Sequence, residues 1–197
     1  GLIDNSIRNQ IKNKVISRST DLEINEDQLI DSLNNLYSYS NKKSFIDKSL
    51  ENFFYIDVIL KIFPRAKFIH TYRNKYDAAI AIHQSMLIYL PWAHSMNNIL
   101  KYILNYEKIL NYYKKKYPDK ILNINLENLS SNPKKYTKNI FKFCNLDWNE
   151  NVLEFYNKEN LTSKSSSFLQ VRNKIQKYEK YKYQPYYFMI ENELIEF

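Results

Sequence analysis

KFIHTYRNKYDAAIAIHQS, residues 67–85, is the stretch on which the reading of the whole chain turns. Lys67 to Tyr72 is short, rich in β-formers and bounded upstream by Pro64, which predicts a buried strand. From Lys75 onward Ala78, Ala79, Ile80 and Ile82 carry helical propensity, and Asp77 falls in the first turn, where a negative charge suits the helix dipole. Strand, loop and helix follow one another, and Arg73 stands at the corner. In an open α/β sheet ligands sit outside the carboxyl ends of the strands, and free N–H groups at a helix start favour an anion. The planar guanidinium of Arg73 can grip a phosphate through two parallel hydrogen bonds, as a lysine cannot. A surface arginine capping a βα turn would leave the same pattern.

Upstream, Leu2, Ile3, Ile7, Ile11 and Val15 recur at helical spacing, and Asn25 to Tyr37 signals a second helix with Asn25 as its N-cap. Ser44 to Asp47 is read as a short strand with Lys48 at its end, in the same type of position as Arg73, and Leu50 to Phe63 as a buried helix. Downstream, Pro91 and Trp92 break the chain before a long helix from Met96 to Tyr117, which Pro118 and Asp119 end. Ile121 to Leu126 reads as a third strand, followed by Glu127. Pro133 opens a helix through Phe143, and Asn149 to Tyr156 is a further short one. Strand, helix, strand, helix is the order of parallel βαβ construction, and 197 residues suit one α/β domain.

Composition narrows the function. Hydrophobic residues make up 44% and charged residues 25%, values ordinary for a folded domain, and the formal charge of +8 favours an anionic partner. Lys114, Lys115 and Lys116 close a helix, where positive charge complements the dipole and is structural. Cys144 is alone, so neither an internal disulfide nor a cysteine-based zinc site can form; on an apolar helix face it reads as core. With no run of eighteen apolar residues and no leader-like start, the expectation is a cytoplasmic protein without a membrane span. Gly1 is the one glycine, so no glycine-rich phosphate loop, Rossmann fingerprint or Walker motif can be built from these residues. Tight turns fall to Asn, Asp, Ser and Pro, as in YPDK and SSNPKK.

The tail differs in kind. TSKSSSFLQVRNK combines hydroxyls with Lys164, Arg172 and Lys174, and YEKYKYQPYY interleaves basic and aromatic residues. Such a segment can wrap a phosphate and stack on a base, or form a solvated loop followed by an aromatic strap over the core.

Taken together, these stretches resemble the PAPS-dependent sulfotransferases, especially the bacterial and tyrosylprotein-type branch. The family element D-K-x-P-x-N-F is matched by Asp47-Lys48-Ser49-Leu50-Glu51-Asn52-Phe53, and FPRAK leads into the strand. R-[DN]-x-x-D is matched by Arg73-Asn74-Lys75-Tyr76-Asp77, and Y-E-x-L by Leu126-Glu127-Asn128-Leu129. F-x-G-L-x-W is matched by Phe143 to Trp148, with Asn145 in the glycine place, and S-x-x-Q-V-R by Ser167 to Arg172. Five elements in order over residues 47 to 172 make the resemblance specific.

The resemblance implies a P-loop-NTPase-like sulfotransferase fold, helix-rich, with a short parallel sheet flanked by helices. It implies transfer of a sulfuryl group from PAPS, without a metal, to a small-molecule or protein hydroxyl or tyrosine acceptor. Arg73 would hold the 3′-phosphate, shared by PAPS and its product adenosine 3′,5′-bisphosphate, and Lys182 would add a second cation. Lys48 would stabilise charge on the transferring group with Ser167 as its partner, while Ser167, Gln170, Val171, Arg172 and Lys174 would enclose the nucleotide. The family's second phosphate-binding serine is Ala81 here, and the tyrosine of Y-E-x-L is Leu126. The glycine-containing phosphosulfate loop and the glutamate base of this branch have no match. The expectation is therefore a C-terminal portion of a longer enzyme, without the first strand and loop, and weakly active or inactive alone.

Two rivals stand beside this reading. One is a non-enzymatic basic module for a nucleotide, RNA or acidic polymer; the sulfotransferase reading expects no nucleic acid. The other is a structural domain whose exposed N-terminal face admits a homodimer.

Overall fold

Phe68–Tyr72 forms strand β1 and Ile121–Asn125 forms β2. The two pair in parallel, with Phe68 opposite Ile121, His70 opposite Asn123 and Tyr72 opposite Asn125. The structure, a computed structural model, describes residues 46–157, 172–179 and 181–191. The helices expected at 2–15 and 25–37 lie outside these residues, as do Ser167, Gln170 and Val171. The chain divides into two compact units, Gly1–Ala66 and Lys67–Phe197.

In the first unit, Asn52–Tyr55 forms a 3-10 turn that runs into helix α1, Ile56–Ile62, whose buried residue is Ile56. The sequence reading of one buried helix from Leu50 is corrected here: Leu50 is 73% exposed and precedes any helical turn. Ile46 and Asp47, the described half of the expected strand at 44–47, adopt no strand. The side chain of Asp47 instead accepts from Asn52 Nδ2 at 3.3 Å, which folds this segment on itself as a turn. Among the described residues the sheet therefore has two strands, not three.

In the second unit, β1 leads into α2, Lys75–Gln84, and a 3-10 turn at Pro91–His94 leads into the long α3, Met96–Lys116. Ser95 caps α3, its hydroxyl accepting from Asn98 N–H. A turn closed by Lys120 N–H on Tyr117 O, within YPDK, delivers β2. After β2 come α4, Leu126–Ser131, α5, Pro133–Cys144, and a 3-10 segment at Glu150–Asn157. The core joins Ala79 and Ile80 of α2 to Met96, Ile99 and Leu100 of α3. Ile190 completes it from α6, Phe188–Glu191, with Trp92, Tyr183, Tyr187 and Met189 packed around. Alanine at 79 lets the helices approach closely, and each isoleucine taken fully out of water contributes about 2 kcal/mol. The tail over residues 183–191 is thus an aromatic strap over this core.

β1 is less buried than its composition predicts. Ile69 is 41% exposed and Tyr72 45%, whereas Ile121 and Ile124 of β2 are buried. The reason is position: among the described residues β1 has a strand neighbour on one flank and none on the other.

With glycine absent from the interior, an asparagine makes the left-handed stop of α5. Asn145 has φ 57° and ψ 42°, and it ends α5 in a Schellman arrangement, Leu146 N–H reaching Phe141 O at 2.9 Å and Asn145 N–H reaching Lys142 O at 3.1 Å. Asparagine tolerates this left-handed conformation better than other residues with a side chain. That explains its presence where the family motif has glycine.

Candidate functional site

The carboxyl ends of β1 and β2 carry the candidate site. Arg73 follows β1 directly and is half-buried. One Nη donates to the main-chain oxygen of Asp77 at 3.3 Å, and the guanidinium lies 5.7 Å from the ring centre of Tyr183. Guanidinium has five N–H donors, so most of its capacity is open to a ligand. Lys182 lies against the same ring, its Nζ 5.6 Å from the centre. Two cations predicted for one phosphate thus share one aromatic neighbour.

The helix start beside Arg73 differs from the free anion cradle expected of a βα corner. Asn74 caps α2 with its side-chain oxygen, which accepts from Tyr76 N–H at 2.8 Å and Asp77 N–H at 3.3 Å. The N–H of Asn74 itself donates to Glu127 Oε1 at 2.9 Å. The N–H groups of Asn74, Tyr76 and Asp77 are thus satisfied from within the fold and are not offered to an anion.

Asp77 holds a role the sequence reading missed. It is 1% exposed, and its carboxylate accepts from the hydroxyls of Tyr178, on one oxygen, and Tyr187, on the other at 2.6 Å. Burial, followed by the bond to Asp77, raises the hydroxyl pKa of both tyrosines, that of Tyr187 to about 12. The sequence signal was the aspartate of R-[DN]-x-x-D, read only as a dipole charge. Nothing local marked Tyr178 and Tyr187 as its partners.

The other expected residues are placed as follows. Lys48 belongs to the first unit, is exposed, and lies between Asp47 and Asn52, whose side chains bond each other; it is not at the end of a strand. Arg172 is exposed. Lys174 lies 5.6 Å from the ring centre of Tyr156 and lines a cleft of about 400 Å³ with Asn132, Pro133, Lys134 and Tyr156, to which neither Arg73 nor Lys182 contributes. Ala81 and Leu126 occupy α2 and the start of α4. Cys144 is half-buried at the end of α5 rather than in the core.

Among the described residues no cluster of three or more His, Cys, Asp or Glu is arranged for a metal, and no helix is long and apolar enough to cross a membrane.

A relative from Aquifex aeolicus (strain VF5), described as an uncharacterized protein, is 30% identical over 154 residues, which are 72% of this chain and 20% of that protein. The chain thus spans about a fifth of that relative's length. The profile of the Sulfotransferase family matches residues 7–150, across both units and through the Arg73 corner. The chain belongs to the Sulfotransferase family.

Proposed function

We propose that the chain is a single sulfotransferase domain of the PAPS-dependent, tyrosylprotein-like kind, with Arg73 and Lys182 as the binders of the nucleotide 3′-phosphate. The observation that carries this reading is the shared placement of both cations on the ring of Tyr183, at 5.7 and 5.6 Å. The donor set suits the ligand: a doubly charged ester needs a forked guanidinium and a second cation, and a tyrosine face suits a purine. PAPS supplies the sulfuryl group. Lys48, exposed in the turn that the Asp47–Asn52 bond closes, offsets charge that grows on the transferring oxygens, with Ser167 as its partner. Ser167, Gln170, Val171, Arg172 and Lys174 belong to the segment that encloses the nucleotide. The acceptor is a hydroxyl or tyrosine of a small molecule or protein. These 197 residues contain no glycine-bearing phosphosulfate loop, so turnover by this chain alone is weak or absent.

Thermal shift tests the reading. Adenosine 3′,5′-bisphosphate is expected to raise Tm more than adenosine 5′-phosphate, and Arg73→Ala to abolish the difference. Equal shifts from both nucleotides, with single-stranded RNA binding that falls steeply with salt, would instead support a basic binding module.

A further inference from the structure

A carboxylate buried to 1% exposure is costly unless both oxygens are paired, and Asp77 meets this with two hydroxyls from the tail. The donors lie on either side of Lys182 and Tyr183 in the sequence. The tail therefore leaves the carboxylate at Tyr178 and returns to it at Tyr187. Within that loop, Lys182 N–H closes a turn on Glu179 O at 3.2 Å, and Tyr186 N–H closes another on Tyr183 O at 2.9 Å. Tyr178 N–H also donates to Ser130 Oγ at 3.1 Å, which ties the loop's first anchor to α4. At its other end, Asp77 accepts from Arg73 through its main-chain oxygen. One residue thus touches the arginine and both anchors of the segment that carries the second cation.

We propose that Asp77 is a positioning residue: its carboxylate closes the tail into a loop and so holds the ring of Tyr183 against Arg73, with Lys182 beside that ring. This deepens the function above and rests on it for the identity of the anion. The loop is short, so closing it at both ends costs little entropy and fixes the lysine at its middle. Removing either hydroxyl leaves the tyrosine ring packed but unpins one anchor.

The test is a cycle of variants in the full chain, reading the ratio of Kd for adenosine 5′-phosphate to that for adenosine 3′,5′-bisphosphate. Lys182→Ala is expected to lower this ratio about tenfold, the size of one charge-assisted contact. The pair Tyr178→Phe with Tyr187→Phe should lower it by a similar factor, and adding Lys182→Ala to that pair should lower it no further. A purely structural role for Asp77 would leave the cost of Lys182→Ala the same in both backgrounds, and that result overturns the proposal. Asp77→Asn, which removes the buried charge, should match the phenylalanine pair; where the pair, left with an unpaired carboxylate, fails to fold, Asp77→Asn carries the test. Amide hydrogen exchange across residues 181–190 is the second readout, and unchanged protection in the phenylalanine pair also overturns the proposal. Absence of any bisphosphate preference in the unaltered chain would overturn the functional reading alone, leaving exchange, and the same cycle with inorganic pyrophosphate as probe, to decide the role of Asp77.

Discussion

The main-chain N–H of Asn74 donates to Oε1 of Glu127 at 2.9 Å, across the ends of two parallel strands. Register produces this contact: Tyr72 pairs with Asn125, so the second residue beyond each strand meets its counterpart. The bond ties the Arg73 corner to α4 and puts a carboxylate beside it. Glu127→Ala is expected to lower unfolding free energy by about 1 kcal/mol, and Glu127→Gln, which keeps an acceptor, by less. Denaturant unfolding monitored by circular dichroism checks both. Glu127→Gln should also tighten phosphate-bearing nucleotides by a factor of a few, because it removes a negative charge next to Arg73.

Acid should destabilise the fold through His70. Its Nδ1 is 2.8 Å from Asn123 Oδ1, its cross-strand partner, while its Nε2 is buried with no hydrogen-bond partner. Burial lowers its pKa below the usual 6.5, the Asn123 bond acts in the opposite direction, and the charge of Lys114 lowers it further. The folded state thus favours neutral imidazole, and the unfolded chain takes the proton first. The contribution is present above pH 6.5 and is lost as pH falls from there through the folded value. Urea midpoints at pH about 7.5 and about 5.5 should differ, and His70→Gln should shrink the difference.

Alkali should act through the tail. Tyr187 ionises at about 12 in the folded protein, against an ordinary 10.0, because burial and then the Asp77 bond disfavour the phenolate. Its contribution is full below pH 10.0 and is lost as pH rises from there through about 12. Tyr187→Phe should blunt the alkaline loss of stability, read as Tm between pH about 9 and about 11.

The stop of α5 should accept glycine and reject branched residues. Asn145 at φ 57° is a position where a side chain costs about 1 kcal/mol in most residue types. Asn145→Gly is expected to leave Tm equal or higher. Asn145→Val should lower it by several degrees, since a β-branched side chain fits that conformation worst.

Met86, with φ 44° just past α2, is a second such position. Met86→Gly should raise Tm, because the methionine is 61% exposed and gives up little packing.

The order of elements was legible because each is written locally. Propensity and punctuation placed β1, α2, α3, β2 and α5 within a residue or two: Pro133 opens α5, Pro118 follows α3, and α2 begins at Lys75. The cation at the strand end was legible for the same reason, since a strand followed by a helix fixes where Arg73 must stand. What the sequence could not give were pairings between distant residues. Asp77 is more than a hundred positions from Tyr178 and Tyr187, and only packing of the tail across α2 brings them together. Nor could a β-rich composition show that Ile69 and Tyr72 of β1 are exposed, because burial depends on which neighbours arrive. Local rules determined the strand, the helix and the arginine between them. Tertiary structure decided that Asn74 and Glu127 close the helix start, and that Arg73 and Lys182 both lie beside Tyr183, because a buried carboxylate needs hydroxyl partners and the tail supplies them.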